Sequence, residues 1–124
     1  MMAHRRTVAV IEDDVSLQKA IKRLLSAHGF CVEAYASAEA FLGRSATYKP
    51  TCLLLDNRLG GISGIELLHR LSKTGSSLPV VFMTAVHDQS VQDTALALGC
   101  VAYLQKPFLP TVLLDVINRA MPRA

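Results

Sequence analysis

The chain has 124 residues, 51% of them hydrophobic, and its mean hydropathy of +0.32 excludes a disordered protein. The net charge of +3 and the pI near 8.9 are only mildly basic, and without Trp or a basic stripe interleaved with aromatic residues they predict no direct nucleic-acid binding. Because no apolar run approaches the length of a membrane span and no signal peptide precedes the first strand, we expect a cytoplasmic protein without membrane contact, folded as a single domain over residues 1–124.

The first half of the chain alternates apolar runs typical of strands with segments of helical periodicity. The predicted strands are Thr7–Ile11, Phe30–Tyr35 and Cys52–Asp56, and the helices are Val15–His28 and Ser37–Leu42. The first helix has one apolar stripe formed by Leu17, Ile21, Leu24 and Leu25. Ser37 suits the N-cap of the second helix, and Gly29 suits the C-cap of the first.

The second half continues the alternation with two more strands and three more helices. The strands are Pro79–Met83 and Cys100–Gln105, and the helices are Gly64–Lys73, Asp88–Leu98 and Leu109–Met121. In the last helix, a stripe of Val112, Val116 and Ala120 lies beside Leu113 and Ile117. Leu96 and Leu98 lie two apart on one helix, so both cannot point into the same core, and we expect Leu98 to be the partly exposed one.

Five strands that alternate with five helices favour an α/β fold. The expected architecture is a doubly wound, flavodoxin-like, five-stranded parallel sheet with helices on both faces and strand order 2-1-3-4-5. The three cysteines lie in or beside apolar stretches without a CxxC motif, so we expect reduced, mostly buried thiols and no zinc site: Cys31, Cys52 and Cys100.

The stretch Thr51–Gly64 (TCLLLDNRLGGISG) ends its apolar run in one carboxylate, Asp56. In the expected strand order, Glu12 and Asp13 at the end of the first strand lie beside it. Three close carboxylates repel one another and need a proton or a cation, and such hard oxygen ligands suit Mg²⁺. The alternatives are a solvated acidic rim, or turn and helix-capping roles, which fit Asp14 well.

Two further strand ends carry polar residues that suit a phosphoryl group. Strand four is followed by the hydroxyl of Thr84, and strand five by the ammonium of Lys106. At the same sheet edge these groups would bind phosphate and neutralise charge during phosphoryl transfer. Each taken alone is more simply an ordinary strand-end residue or a solvated cation.

The motifs VAVIEDD, LLLDNRLGGISGIELL, PVVFMTA and AYLQKPF, in this order, resemble the response-regulator receiver domain of bacterial two-component signalling. The resemblance implies that Asp56 accepts a phosphoryl group. It implies the other roles as follows: Mg²⁺ ligands Glu12, Asp13, Asp56 and the backbone carbonyl of Arg58; phosphoryl-binding Lys106; switch hydroxyl Thr84; switch aromatic Tyr103; and a cis bond between Lys106 and Pro107.

One departure from the family pattern lies in the loop after Asp56. The family usually has Pro where this chain has Gly60, and Gly60-Gly61 predicts a looser loop. We therefore expect this loop to differ from family members with proline at this position in how firmly it holds the carbonyl of Arg58. Arg58 and Val86 occupy positions that tune the lifetime of the phosphoryl group in the family.

The function that the resemblance implies is that of a phosphorylatable switch rather than an enzyme. A histidine kinase or phosphotransfer protein would donate the phosphoryl group, and phosphorylation would favour a homodimer or a downstream domain. An alternative is the receiver part of a longer helix-turn-helix transcriptional regulator. A Mg²⁺-dependent phosphatase of the haloacid-dehalogenase type would want a second Asp where this chain has Arg58, and an FMN carrier would not place Glu12-Asp13-Asp14 in its phosphate loop.

Overall fold

The computed structural model describes residues 6–44, 49–85 and 89–121, in which five strands alternate with five helices. The strands are β1 (Thr7–Ile11), β2 (Cys31–Tyr35), β3 (Cys52–Asp56), β4 (Val80–Thr84) and β5 (Ala102–Gln105). The helices are α1 (Val15–Ala27), α2 (Ala38–Leu42), α3 (Gly64–Lys73), α4 (Gln89–Ala97) and α5 (Pro110–Ala120). The predicted element order is thereby confirmed.

The five strands form one parallel sheet in the order β2-β1-β3-β4-β5, as predicted. Strands β1, β3 and β4 are buried along their whole length, because helices cover both faces of the sheet. Strand β2 lies at an edge and is only half-buried. Since β1 lies directly beside β3, the residues that follow these two strands meet at the same edge of the sheet.

Side chains that alternate along each strand supply two separate cores. Val8 and Val10 pack on the side of α1 and α5, where Leu25, Leu113 and Ile117 are buried. Ala9 and Ile11 pack on the opposite side, with Phe41 of α2, Leu67 of α3 and Ala95 of α4. Successive side chains of a strand point to opposite faces of the sheet. The one sheet therefore contributes to two cores and packs against a layer of helices on each side.

Element boundaries differ from the sequence prediction by a few residues. Strand β4 begins after Pro79, because proline has no N–H to donate to the neighbouring strand, although its carbonyl accepts the N–H of Leu53 at 2.9 Å. At its other end, β4 extends one residue further than predicted and includes Thr84. Helix α4 was predicted from Asp88, which lies outside the described residues. Cys52 and Cys100 are buried, as expected, and Cys31 is half-buried.

The choice of Leu98 as the exposed leucine was wrong. Leu96 is 49% exposed, whereas Leu98 packs against the core that contains Ala95. Leu98 follows Ala95 by three residues and therefore shares its inward face, while Leu96 is turned about 100° away from Ala95 around the helix axis. Leu98 thus makes the apolar contact beside Gly99, whose φ of +96° ends the helix.

The predicted stripe of α5 is also turned relative to the real one. Val112 is 42% exposed, whereas Leu113 and Ile117 are completely buried, so Leu113 and Ile117 form the centre of the apolar face.

Among the described residues, no helix combines the length and apolar character that crossing a bilayer requires.

Candidate functional site

The acidic residues predicted to converge do meet at the carboxyl ends of β1 and β3. Ile11 pairs with Leu55, so the residues that follow them, Glu12 and Asp56, lie side by side. Carboxylate oxygens of Glu12, Asp13 and Asp56 all lie within 4.8 Å of one another. Glu12 is 1% and Asp56 is 2% exposed, whereas Asp13 is open to solvent.

Glu12 is held in place through both carboxylate oxygens. Its Oε1 lies 2.6 Å from Nζ of Lys106, and its Oε2 accepts the backbone N–H of Asp14 at 3.1 Å. The backbone N–H of Glu12 donates to the carbonyl of Tyr35 at 3.0 Å. Asp14 caps α1 by accepting the N–H of Leu17 at 3.1 Å, so its capping role is confirmed.

Lys106 connects two of the three acids. Its Nζ lies 3.1 Å from Oδ1 of Asp56 as well as 2.6 Å from Glu12, and its side chain is 15% exposed. The backbone N–H of Lys106 donates to the carbonyl of Thr84 at 2.7 Å, which fixes the end of β5 beside the end of β4. The peptide bond between Lys106 and Pro107 is cis, as the resemblance implied.

Burial controls the ionisation of this cluster. It raises the pKa of the Asp56 carboxyl above its usual value; the charge of Lys106 opposes the shift, and the Asp13 carboxylate adds to it. Burial likewise raises the pKa of Glu12, against the hydrogen bond from Lys106. For Lys106 itself, burial would lower the pKa, but the hydrogen bond to Glu12 and the charge of Asp56 outweigh it, so the net shift is upward.

The donor set fits a hard divalent cation. Three carboxylates and one ammonium leave two negative charges on these four side chains, and the carboxylate oxygens are close enough to share one ion. Because both oxygens of Glu12 already accept hydrogen bonds, the solvent-exposed Asp13 is the more available ligand. Oxygen ligands with open access to water are what Mg²⁺ requires.

The other predicted residues that the structure describes belong to β4 and β5 or follow β3. Thr84, the last residue of β4, is 2% exposed and follows Met83, which pairs with Asp56. Arg58 lies two residues beyond Asp56 and is exposed. Tyr103 of β5 is half-buried and stacks on Phe82 with ring centroids 6.2 Å apart, on the α4 side of the sheet. Val86 lies outside the described residues.

Sequence reasoning missed how closely α3 approaches the backbone of Asp56. A Cβ atom on Gly64 would lie only 2.4 Å from the backbone carbonyl oxygen of Asp56, so only glycine fits without a shift. The N–H of Gly64 donates to the carbonyl of Asn57 at 3.0 Å, and Ser63 caps the helix by accepting the N–H of Glu66. The signal in the sequence was a glycine at the first position of a helix, directly after the N-cap serine. Glycine is a poor helix former, so its presence there indicates a close contact that excludes a side chain.

Comparison with known proteins decides the family. A family model described as "Response regulator receiver domain" matches residues 8–118. The chain belongs to the response-regulator receiver-domain family. This receiver domain is 33% identical over 115 residues to the transcriptional regulatory protein TdiR of Thauera aromatica, covering 93% of the chain and 51% of TdiR. It is 32% identical to the transcriptional regulatory protein FixJ of Rhizobium meliloti (strain 1021), covering 92% of the chain and 56% of FixJ.

Solved structures agree with this assignment. The crystal structure of FixJ-N superimposes on the receiver domain with a TM-score of 0.85 at 32% identity, covering 96% of this chain and 94% of that one. The family match confirms the resemblance inferred from the motifs and identifies a signalling domain of two-component response regulators. The chain spans about half the length of the curated relatives that it matches, 51% of TdiR and 56% of FixJ.

Proposed function

We propose that Asp56 is the phospho-acceptor of this receiver domain. A carboxylate oxygen of Asp56 attacks the phosphorus of a phosphohistidine on a histidine kinase or a phosphotransfer protein. The new O–P bond forms as the N–P bond breaks, and the electron pair of that bond returns to the histidine nitrogen, which takes up a proton. The supporting observation is that a nearly buried carboxylate lies at the carboxyl edge of the sheet with Lys106 Nζ 3.1 Å away.

Lys106 and Thr84 would stabilise the phosphoryl group. The ammonium of Lys106 neutralises charge on the phosphoryl oxygens, and the hydroxyl of Thr84, at the end of the neighbouring strand, offers them a hydrogen bond. Glu12, Asp13, Asp56 and the backbone carbonyl of Arg58 would hold Mg²⁺. When bound, this cation supplies positive charge that offsets the repulsion between the carboxylates and the incoming phosphoryl group.

The expected consequence is a switch rather than a catalytic cycle, with slow self-dephosphorylation only. The movement of Thr84 toward the phosphoryl group would free space for the ring of Tyr103, which is stacked on Phe82 in this structure. A two-state rearrangement of this kind converts a local charge change into an altered surface. We expect that surface to favour a homodimer.

A direct test is incubation with acetyl phosphate and Mg²⁺, followed by intact-mass measurement. We expect the wild type to gain one phosphoryl group, and Asp56→Asn and an EDTA-treated sample to gain none. Asp115→Asn is the matched control, because it removes an exposed carboxylate on α5 and should leave labelling unchanged. Equal labelling of the wild type and Asp56→Asn would reject Asp56 as the acceptor.

A second proposal concerns output. The relatives TdiR and FixJ are named transcriptional regulatory proteins, and the matched region is about half of each. We propose that this receiver domain controls transcription through a separate effector segment that itself contacts DNA. The test is reporter transcription in cells with and without Asp56→Asn in the natural gene, and equal transcription would argue against the proposal.

A further inference from the structure

The loop that joins β3 to α3, residues 57–63, connects the acceptor position to the proposed fourth ligand of the cation, the carbonyl of Arg58. It contains Gly60 and Gly61 in succession, and glycine pairs leave the backbone free to adopt many conformations. A metal ligand supplied by such a loop binds weakly unless other contacts order the loop first. Leu59 and Ile62 pack against the core, and the N–H of Asn57 donates to the carbonyl of Met83 at 2.9 Å. A further contact, to the middle of the loop, comes from the side chain of a different element.

Glu39, in the first turn of α2, reaches across to the middle of this loop. Its Oε2 accepts the backbone N–H of Ile62 at 3.1 Å, although the two residues are 23 positions apart. A Cβ on Gly61 would lie 2.2 Å from the same oxygen, so the glycine allows the carboxylate to approach the backbone. Gly61 also has a φ of +83°, a conformation that side chains disfavour.

Helix α2 is itself a fixed support for Glu39. Ala38 and Phe41 on either side of Glu39 are completely buried, and Ser37 caps the helix by accepting the N–H of Ala40 at 3.0 Å. At the far end of the loop, Ser63 accepts the N–H of Glu66, which fixes the start of α3. Asp56 and Ser63 thus fix the two ends of the loop, and Glu39 fixes its middle.

We propose that Glu39 is a positioning residue that orders the β3–α3 loop and so presents the Arg58 carbonyl to the cation site. Its carboxylate substitutes for the stiffness that a proline at position 60 would give, and this explains why the pair Gly60-Gly61 is tolerated so close to the acceptor. The inference rests on the proposed Mg²⁺-dependent function. Glu39 would thereby support the proposed cation site although it touches neither the cation nor the phosphoryl group.

Two measurements on the same variants test this role. In the metal-free protein, NMR would follow hydrogen exchange at the Ile62 amide, and calorimetry would give the Mg²⁺ dissociation constant. For Glu39→Ala we expect faster exchange at Ile62 and a Mg²⁺ affinity about three- to tenfold weaker, the change expected when one hydrogen bond of ordinary net strength is lost. Glu39→Gln keeps an acceptor oxygen and should restore most of both properties.

Glu66→Ala is the matched control, because Glu66 is also an exposed first-turn glutamate, and its side chain pairs with Arg70 rather than with the loop. It loses the same charge near a helix N-terminus, so a general effect of charge would appear equally in both variants. We expect Ile62 exchange and Mg²⁺ affinity in Glu66→Ala to equal those of the wild type.

The proposal is overturned if Glu39→Ala leaves Ile62 exchange unchanged, or if its Mg²⁺ affinity equals that of Glu66→Ala while the wild type binds the cation. A failure of the proposed function is recognised separately through Asp13→Ala. If Asp13→Ala and the wild type bind Mg²⁺ equally, the cation site itself is misassigned, and the positioning role falls with it.

Discussion

The replacement Asp56→Asn removes one charge from the buried cluster with almost no change in shape. The attraction that is lost, between Asp56 and Lys106 at 3.1 Å, amounts to about 5 kcal/mol at an effective dielectric constant of 20. The repulsion that is relieved, from Glu12 within 4.8 Å, is at least about 3.5 kcal/mol on the same scale. The repulsion from the solvent-exposed Asp13, which also lies within 4.8 Å of Asp56, is relieved as well, so the lost attraction and the relieved repulsion are of similar size.

The desolvation of the Asp56 carboxylate then decides the sign. Burying an ion costs several kcal/mol, and the asparagine side chain avoids most of this cost while it still accepts a hydrogen bond from Lys106. The upward pKa shift of Asp56 has burial as its main cause and agrees in direction. We expect Asp56→Asn to raise the free energy of unfolding by about 1–2 kcal/mol and the melting temperature by about 4–8 °C.

The assay is urea and thermal unfolding followed by circular dichroism, in EDTA and again with saturating Mg²⁺. At the proposed site, the wild type offers Mg²⁺ a complete set of carboxylates and the variant does not. Mg²⁺ should therefore stabilise the folded wild type more than the variant and shrink or reverse the difference in unfolding free energy. Asp115→Asn, at an exposed site, should change stability by less than about 0.5 kcal/mol in either buffer. A variant that is less stable than the wild type in EDTA would refute the electrostatic argument.

Three further predictions concern α3, a buried thiol and the exposed apolar surface. Gly64→Ala should destabilise the fold by about 1–3 kcal/mol in urea unfolding because its Cβ would meet the Asp56 carbonyl, whereas Gly60→Ala, with nothing within 4 Å, should not. Burial raises the pKa of Cys52 to about 12, so above pH 9 the unfolded chain releases a proton that the folded chain keeps. Unfolding free energy should then fall by about 1.4 kcal/mol per pH unit more in the wild type than in Cys52→Ala, and equal slopes would contradict this. Beryllofluoride, a mimic of the phosphoryl group, should cause less dimerisation of Leu96→Glu than of Val15→Glu, as measured by sedimentation. Val15 on α1 is the control because its exposure is similar, and equal dimerisation of the two variants would exclude Leu96 from the dimer interface.

The order of elements, the sheet topology and the convergence of acidic residues were predictable because they depend on local patterns. Apolar runs that end in Glu12 and Asp56, together with the preferred strand order, are sufficient to place these carboxylates side by side. The same applies to the capping roles of Asp14 and Ser37, since an N-cap acts on an N–H only a few positions away.

Side-chain contacts that depend on how helices pack on the sheet, or on which groups pair at a shared sheet edge, were not predictable. The hydrogen bond from Ile62 to Glu39 and the approach of Gly64 to Asp56 depend on how α2 and α3 pack on the sheet, which no periodicity records. The pairing of Lys106 with Glu12 at 2.6 Å was missed for the same reason. The exposed leucine was misassigned between Leu96 and Leu98 because only packing determines which side of α4 faces the sheet: Ala95 is buried, and Leu98, three residues further on, lies on the same side.

The central claim, that Asp56 carries the phosphoryl group, is tested most directly by chemical trapping. Borohydride reduces an acyl phosphate to the alcohol, so phosphorylated protein treated in this way should contain homoserine at position 56, within the tryptic peptide of residues 45–58. Mass spectrometry of this peptide and of residues 7–19, which contain Glu12 and Asp13, identifies the modified side chain. The account predicts conversion at Asp56 alone, and only when Mg²⁺ is present during phosphorylation. Conversion at Asp13, or no conversion at Asp56 in protein that has gained a phosphoryl group, would contradict it.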